Sequence, residues 1–284
     1  MTLKLPLFSV NGVLGAAISP LDRGFAYGDG VFETCRIHRG KIPLWSFHLD
    51  RLLQGAMRLG IPVAIDLLEE YRDQLLIQGQ AEIQNAGVLK IILTRGVGGR
   101  GYKMPDEVQP TYCLGLYSGA DLHSKQYLEG VRLRVCNHRL ARNSLLAGMK
   151  HLNRLEYILA RNEWCDEVDE GLLLDTEGQV IEATVSNLFA VVDGCLITPD
   201  LTYAGVSGIM RRLIIEQLAP ALKLQTRVEH IDLNIVSAAD ELFLCNSVFG
   251  VWPVKTLLLE SPLNLALGPV TLAVQVSLER YLQP

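Results

Sequence analysis

The sequence predicts an α+β fold in two domains, and three observations carry that expectation. Strand-like and helix-like stretches mix in both halves of the 284 residues without a regular βαβ alternation. A polar stretch, residues 118–125, separates the halves. A hydrophobic content of 49% gives a chain of this length enough apolar side chains for a sizeable core. The expected division is a smaller N-terminal α+β domain over 1–118, a linker over 119–126 and a larger C-terminal α+β domain over 127–284.

Composition excludes several classes. A net charge of −5 argues against nucleic acid as the main partner. The start, Met1-Thr2-Leu3-Lys4-Leu5-Pro6, is too short and too quickly broken for a signal peptide, and no apolar run reaches membrane-spanning length. Six cysteines (Cys35, Cys113, Cys136, Cys165, Cys195, Cys245) are scattered without a Cys-x-x-Cys pair, which reads as reduced thiols of a cytoplasmic protein. The six histidines show no metal-ligand spacing, so no metal is expected.

In the N-terminal half, Asn11-Gly12 between Leu7–Val10 and Val13-Leu14 signals a hairpin. Tyr27-Gly28-Asp29-Gly30 follows, where the glycines imply unusual backbone angles or close approach. Residues 31–37 read as a strand. Ser46 is an expected N-cap for a helix through Phe47, Leu49, Leu52, Leu53, Ala56 and Leu59, ending at Gly60. Arg51 lies in that helix and, taken alone, belongs on a solvated face. A second helix is expected over 67–78 and a buried strand over 88–94. The strand runs into Arg95-Gly96-Val97-Gly98-Gly99-Arg100-Gly101-Tyr102-Lys103. Its backbone N–H groups could bind an anion, or it could be a structural hairpin tip. It is not a Walker A loop, because Tyr102 stands where the lysine should follow the second glycine and no helix pattern comes after it. Residues 111–117 are a further strand.

In the C-terminal half, strands are expected over 131–135, 171–174, 188–192 and 241–245, with turns at 175–178 and at Asp193-Gly194. Leu152, Leu155, Ile158 and Leu159 share one helical face, so a helix is expected from about 152 to 165. Gly205-Val206-Ser207-Gly208 precedes a helix over 209–218 whose N-terminus suits an anion. Lys150, after Ala147-Gly148 and at the mouth of the expected helix, is the residue around which these elements gather. Taken alone it flanks a helix; in a partly dry pocket its amine is a nucleophile toward a carbonyl.

These stretches together resemble the fold-type IV pyridoxal-phosphate enzymes, the group of branched-chain and D-amino-acid aminotransferases and aminodeoxychorismate lyases. The resemblance spans nearly the whole chain. Tyr27-Gly28-Asp29-Gly30-Val31-Phe32-Glu33 is similar to the family's N-terminal motif. Lys150 falls at its Schiff-base lysine. Glu182, in Glu-x-x-x-Ser-Asn-Leu-Phe with Asn187, falls at the carboxylate on the pyridine nitrogen. Arg51 matches the phosphate-gripping arginine. Ile209 and Met210, after Gly208, match the helix start that binds the phosphate, and Ser247 lies near another phosphate contact. Met210 stands where many aminotransferases have a threonine, so only its backbone can serve. Glu33 before Thr34 is as in the aminotransferases. Within the family, Lys150-His151-Leu152-Asn153-Arg154-Leu155-Glu156 and Arg95-Gly96-x-Gly98-Gly99-Arg100-Gly101-Tyr102 resemble the lyases most.

The resemblance implies a two-domain fold with pyridoxal 5'-phosphate in the cleft between domains, and the cofactor lysine in the C-terminal one. It implies a homodimer acting on a small molecule in 4-aminobenzoate and folate biosynthesis. The implied reaction converts 4-amino-4-deoxychorismate to 4-aminobenzoate and pyruvate, with Lys150 as the base and Glu182 tuning the cofactor. Arg100, Tyr102 and Arg154 are the expected substrate contacts, with Thr34 beside the reacting centre. The alternative is amino transfer on D- or branched-chain amino acids. A different class is a non-enzymatic anion- or nucleotide-binding module built on the glycine loop.

Overall fold

The computed structural model describes residues 4–119 and 122–282. Positions 1–3, at the start weighed against a signal peptide, and 120 and 121 of the expected linker lie outside the described residues. The chain forms two compact units. One is Met1–Ala120 with Met149–Asn153, and the other is Asp121–Gly148 with Arg154–Pro284. Lys150 thus belongs by its contacts to the first unit, although its position in the chain falls inside the range 127–284.

The first unit contains β1 (Leu7–Val10), β2 (Val13–Leu14), α1 (Arg23–Tyr27), β3 (Gly30–His38), α2 (Trp45–Leu59), α3 (Ile65–Gln78), β4 (Ala86–Thr94) and β5 (Thr111–Ser118). Its strands form one antiparallel sheet in the order β2-β1-β5-β4-β3. Alternation decides its faces. Val31, Glu33, Cys35 and Ile37 of β3 and Leu89, Ile91 and Leu93 of β4 are buried, as are Leu52, Ala56, Leu68 and Leu75 of α2 and α3. The intervening Phe32, Thr34, Lys90 and Ile92 form a partly open face. Each fully buried leucine is worth about 1.5–3 kcal/mol.

Ser46 is not the cap of α2. The helix begins at Trp45, and Leu44 at the cap position makes no side-chain cap bond. Trp45 enters the helix because its indole N–H donates to Glu69 Oε1 of α3 at 2.6 Å while the Arg72 guanidinium lies 4.3 Å from its ring.

The second unit contains α4 (Lys125–Glu129), β6 (Val131–Leu140), α5 (Leu155–Arg161), β7 (Glu170–Asp175), β8 (Val180–Ala183), β9 (Asn187–Val192) and β10 (Cys195–Pro199). Then come α6 (Ile209–Leu213), which continues through a π-helical turn (Ile214–Leu218) into α7 (Ala219–Ala221), and β11 (Thr226–Glu229) and α8 (Leu233–Ser237). β12 (Glu241–Asn246), β13 (Gly250–Leu258), β14 (Leu263–Asn264) and α9 (Pro269–Leu282) complete it. A mixed sheet runs β11-β10-β9-β12-β13-β6-β7-β8, with β14 on β13. Leu133, Leu172, Leu188, Leu242, Leu244 and Val254 lie in its core. Among the described residues no helix is long and apolar enough to cross a membrane.

The helix expected over 152–165 is shorter, and Lys150 is not at its mouth. Met149–Asn153 runs as an extended segment beside the start of β3. Phe32 N–H donates to Lys150 O at 2.9 Å and Leu152 N–H to Gly30 O at 3.0 Å, around a bridge between Val31 and His151. Those bonds are made between strands, so α5 cannot form before Leu155. Leu155, Ile158 and Leu159, the expected core face of the helix, are exposed.

Gly30 makes the pairing possible. A Cβ there would strike the Leu93 carbonyl oxygen and come within 2.9 Å of Leu152 Cδ1. Gly30→Ala should therefore destabilise the protein by about 1–3 kcal/mol, the range for forced overpacking. A urea unfolding midpoint equal to that of the wild type would show that the segment tolerates the extra methyl.

Candidate active site

In the first unit, α2 and β3 meet at a buried charge cluster. His48 and Arg51 are three residues apart on α2 and so share a face. Arg51 donates from Nε to Glu33 Oε1 at 2.7 Å and from Nη2 to Oε2 at 2.6 Å. His48 Nδ1 lies 2.6 Å from Glu33 Oε2. Burial pushes the Glu33 carboxyl up, but the Arg51 guanidinium and the His48 hydrogen bond outweigh it and hold it at about 2. Burial also pushes His48 down, against the pull of Glu33. Its ring is therefore neutral and donates Nδ1–H to the carboxylate. Arg51 is not on a solvated face; the forked pairing fixes the plane of its guanidinium. Glu33, noticed in the sequence only as a family marker, is what orients it.

The open face of the same sheet carries Lys150. Its Nζ lies 4.4 Å from the centre of the Phe32 ring. Thr34, two residues along β3, faces the same way. Lys90 stands opposite Thr34 in the β3–β4 register, and its Nζ lies 5.6 Å from the same ring. Sequence reasoning missed Lys90. Its signal is a single charge inside the apolar run of β4, Val88-Leu89-Lys90-Ile91-Ile92.

The glycine loop belongs to this unit too. Arg95 pairs through Nε and Nη2 with both oxygens of Asp29, at 2.8 and 3.0 Å, and donates to Leu59 O and Gly60 O at the end of α2. Arg100 and Tyr102 are exposed on the loop.

In the second unit, β8 presents Glu182, which is 3% exposed. Tyr157 Oη–H of α5 donates to Oε1 at 2.6 Å, while Asn187 Nδ2 and Val206 N–H donate to Oε2, both at 3.0 Å. Asn187 also donates to Val206 O at 2.9 Å, so it fastens the loop before α6 to the carboxylate. Burial first, and the Glu182 charge next, push the Tyr157 hydroxyl well above its ordinary range, so it is a donor throughout. Tyr157 was missed because nothing local marks it; Arg154 stacks on its ring at 4.8 Å.

Gly208 caps α6 without a side-chain hydrogen bond, and a Cβ there would collide with Asn187 Oδ1. The N–H groups of Ile209 and Met210 open the helix, while their side chains are buried. Ser247 lies in the turn between β12 and β13. Arg211, also unforeseen, is held by Thr198 Oγ1 at 3.1 Å and Pro199 O at 2.9 Å. Burial, its largest influence, lowers its pKa, against the pull of Cys245 and Glu182.

The residues fit pyridoxal phosphate on chemical grounds. A buried carboxylate ringed by donors suits a protonated ring nitrogen. In the second unit a glycine-led helix start suits a phosphate, and in the first an oriented guanidinium is also of the kind that pairs with one. The chain belongs to the class IV aminotransferases, the family described as amino-transferase class IV, which matches residues 30–257. More particularly, it is 34% identical to the aminodeoxychorismate lyase of Vibrio harveyi over 276 residues, 96% of this chain and 99% of that one. It is similar to the crystal structure of 4-amino-4-deoxychorismate lyase from Pseudomonas aeruginosa, at 41% identity and TM-score 0.87 over 96% of this chain and 98% of that one. The branched-chain amino acid aminotransferase of Escherichia coli is more distant, at 25% identity and TM-score 0.81 over 96% and 93%.

The Glu33 cluster sets a pH dependence. Its folded pKa, about 2, lies below the ordinary glutamate value of 4.5. The resulting stabilisation, about 3 kcal/mol, is complete above the unfolded value and is lost as pH falls through the folded one. Urea unfolding between pH 5 and 2 should show this slope in the wild type and a flatter one in Glu33→Gln. Parallel slopes in the two proteins would remove Glu33 as the source.

Proposed function

We propose that the protein is a pyridoxal-phosphate-dependent lyase that converts 4-amino-4-deoxychorismate into 4-aminobenzoate and pyruvate. The observation that carries this reading is the 41% identity to a 4-amino-4-deoxychorismate lyase over nearly the full length of both chains. Pyridoxal phosphate, when bound, supplies the electron sink for negative charge at the carbon that bears the substrate amine.

With the cofactor bound, Lys150 would be the amine that tethers its aldehyde, and the same amine would serve as the base that takes the proton from the substrate carbon bearing the amino group. Loss of this proton and cleavage of the neighbouring carbon–oxygen bond release the side chain as enolpyruvate, which takes up one proton at its methylene carbon to become pyruvate, and leave an aromatic ring. Glu182, oriented by Tyr157 and Asn187, would keep a proton on the pyridine nitrogen of the bound cofactor. Arg51, the N–H groups of Ile209 and Met210, and Ser247 take the phosphate. The substrate's two carboxylates call for cations. Arg100 with Tyr102 offers one, Arg154 is a candidate for the second, and Lys90, on the sheet face of Lys150 and Thr34, is another.

The same reading places the enzyme in the cytoplasm as a homodimer. Leu145, Leu155, Ile158 and Leu159 support self-association, since each is between 53% and 79% exposed in the single chain. Exposed apolar side chains in such a group mark interaction surfaces. Sedimentation equilibrium should give twice the chain mass.

The deciding assay supplies the purified enzyme with 4-amino-4-deoxychorismate and, separately, with D-alanine or leucine plus 2-oxoglutarate. Equimolar 4-aminobenzoate and pyruvate are expected; rapid amino transfer without 4-aminobenzoate would replace the lyase reading. Lys150→Ala should abolish turnover. Glu182→Gln should keep the cofactor and slow proton removal about 10- to 150-fold, the equivalent of a lost charge-assisted hydrogen bond of about 1.5–3 kcal/mol. An unchanged single-turnover rate in that variant would take Glu182 out of the mechanism.

A further inference from the structure

Arg23 opens α1 and is 4% exposed. Its Nε pairs with Asp29 Oδ2 at 2.9 Å, the carboxylate that Arg95 also holds. Its remaining donors go to one limb of the glycine loop. Nη1 donates to Gly101 O at 3.0 Å and Lys103 O at 3.4 Å, and Nη2 donates to Tyr102 O at 3.5 Å. Its backbone N–H donates to Gly96 O on the other limb at 2.9 Å. One residue therefore ties both limbs together. The Tyr27 ring lies 5.0 Å from the Arg23 guanidinium carbon and meets the Tyr102 ring edge-on at 5.7 Å. Gly98 lies against the arginine stem, where a Cβ would come within 2.5 Å of Cδ.

We propose that Arg23 is a positioning residue, whose fork holds loop 96–103 in one conformation before substrate arrives and presents Arg100 and Tyr102 to an anionic substrate. The proposal deepens the lyase reading and rests on it for the identity of the substrate. Four glycines give this loop many backbone states, and ordering them in advance removes that cost from binding. Asp29 and Arg95 already join the loop's base to the end of α2, so the stability of that junction does not need the Arg23 fork. A lysine at 23 could still reach Asp29, but it lacks the planar set of donors that spans three successive carbonyls.

The test uses Arg23→Lys, Arg23→Met and Gly98→Ala in the holoenzyme. Gly98→Ala keeps the arginine and displaces its stem. Trypsin cuts after Arg100 and Lys103 faster the more often the loop backbone leaves its tied conformation, and this needs no substrate. All three variants are expected to be cut there about 10-fold faster, with Arg23→Lys melting within about 3 °C of the wild type. The KM for 4-amino-4-deoxychorismate should rise about 10-fold while kcat stays within about threefold, the sign of lost binding rather than lost chemistry. Unchanged cleavage, or faster cleavage with an unchanged KM, overturns the clamp. A wild type that forms no 4-aminobenzoate overturns the lyase reading instead, and cleavage of the three variants then decides the clamp alone.

Discussion

Two main-chain hydrogen bonds, from Phe32 N–H to Lys150 O and from Leu152 N–H to Gly30 O, decide where Lys150 sits. They turn a short stretch of chain into an extra strand along the start of β3. Side chains alternate along β3, so Phe32 and Thr34 point to one face and Val31 and Glu33 to the other. The Lys150 amine reaches the Phe32 side, and Lys90 reaches it from β4. A chemically useful grouping thus follows from strand register. The absence of a Cβ at Gly30 is what lets three stretches of backbone meet there.

The opposite face of β3 shows how the unit handles charge in its interior. Glu33 is buried, and a lone buried carboxylate would be strongly disfavoured. Arg51 and neutral His48 satisfy it and are fixed by it in return. The second unit solves the same problem differently. The groups that donate to Glu182 from Tyr157, Asn187 and Val206 are neutral. One carboxylate aims a cation, and the other gathers neutral donors from α5, β9 and the loop before α6. The two roles come from the partners, since both residues are glutamates on strands with almost no exposure.

The glycine-rich loop follows the same logic at the surface. Its backbone is permissive, and its order comes from outside it, through Arg23, Arg95 and the carboxylate they share. Charge-assisted bonds to backbone carbonyls fix a path for the chain without filling the space at its tip. Arg100 and Tyr102 stay exposed while the carbonyls beneath them are tied.

The α+β class, most strands and the motifs that mark the family are legible in the sequence, because local patterns carry those signals. The branched apolar run of β4, the leucine run of β7, the Asn11-Gly12 hairpin and the glycine-led start of α6 are properties of a few neighbouring residues. Lys150 and Glu182 could be singled out for the same reason. Tertiary structure alone decided that the apolar spacing of Leu152, Leu155, Ile158 and Leu159 would begin in a strand and end in an exposed helix face. Periodicity records which side chains share a side, but not whether another chain segment will claim the backbone N–H groups first. Glu33 with Arg51, Tyr157 with Glu182, and Arg23 with the loop carbonyls are pairs 18, 25 and about 80 positions apart. Nothing near either partner in sequence announces the other, so their roles exist only once the fold brings them within hydrogen-bond distance.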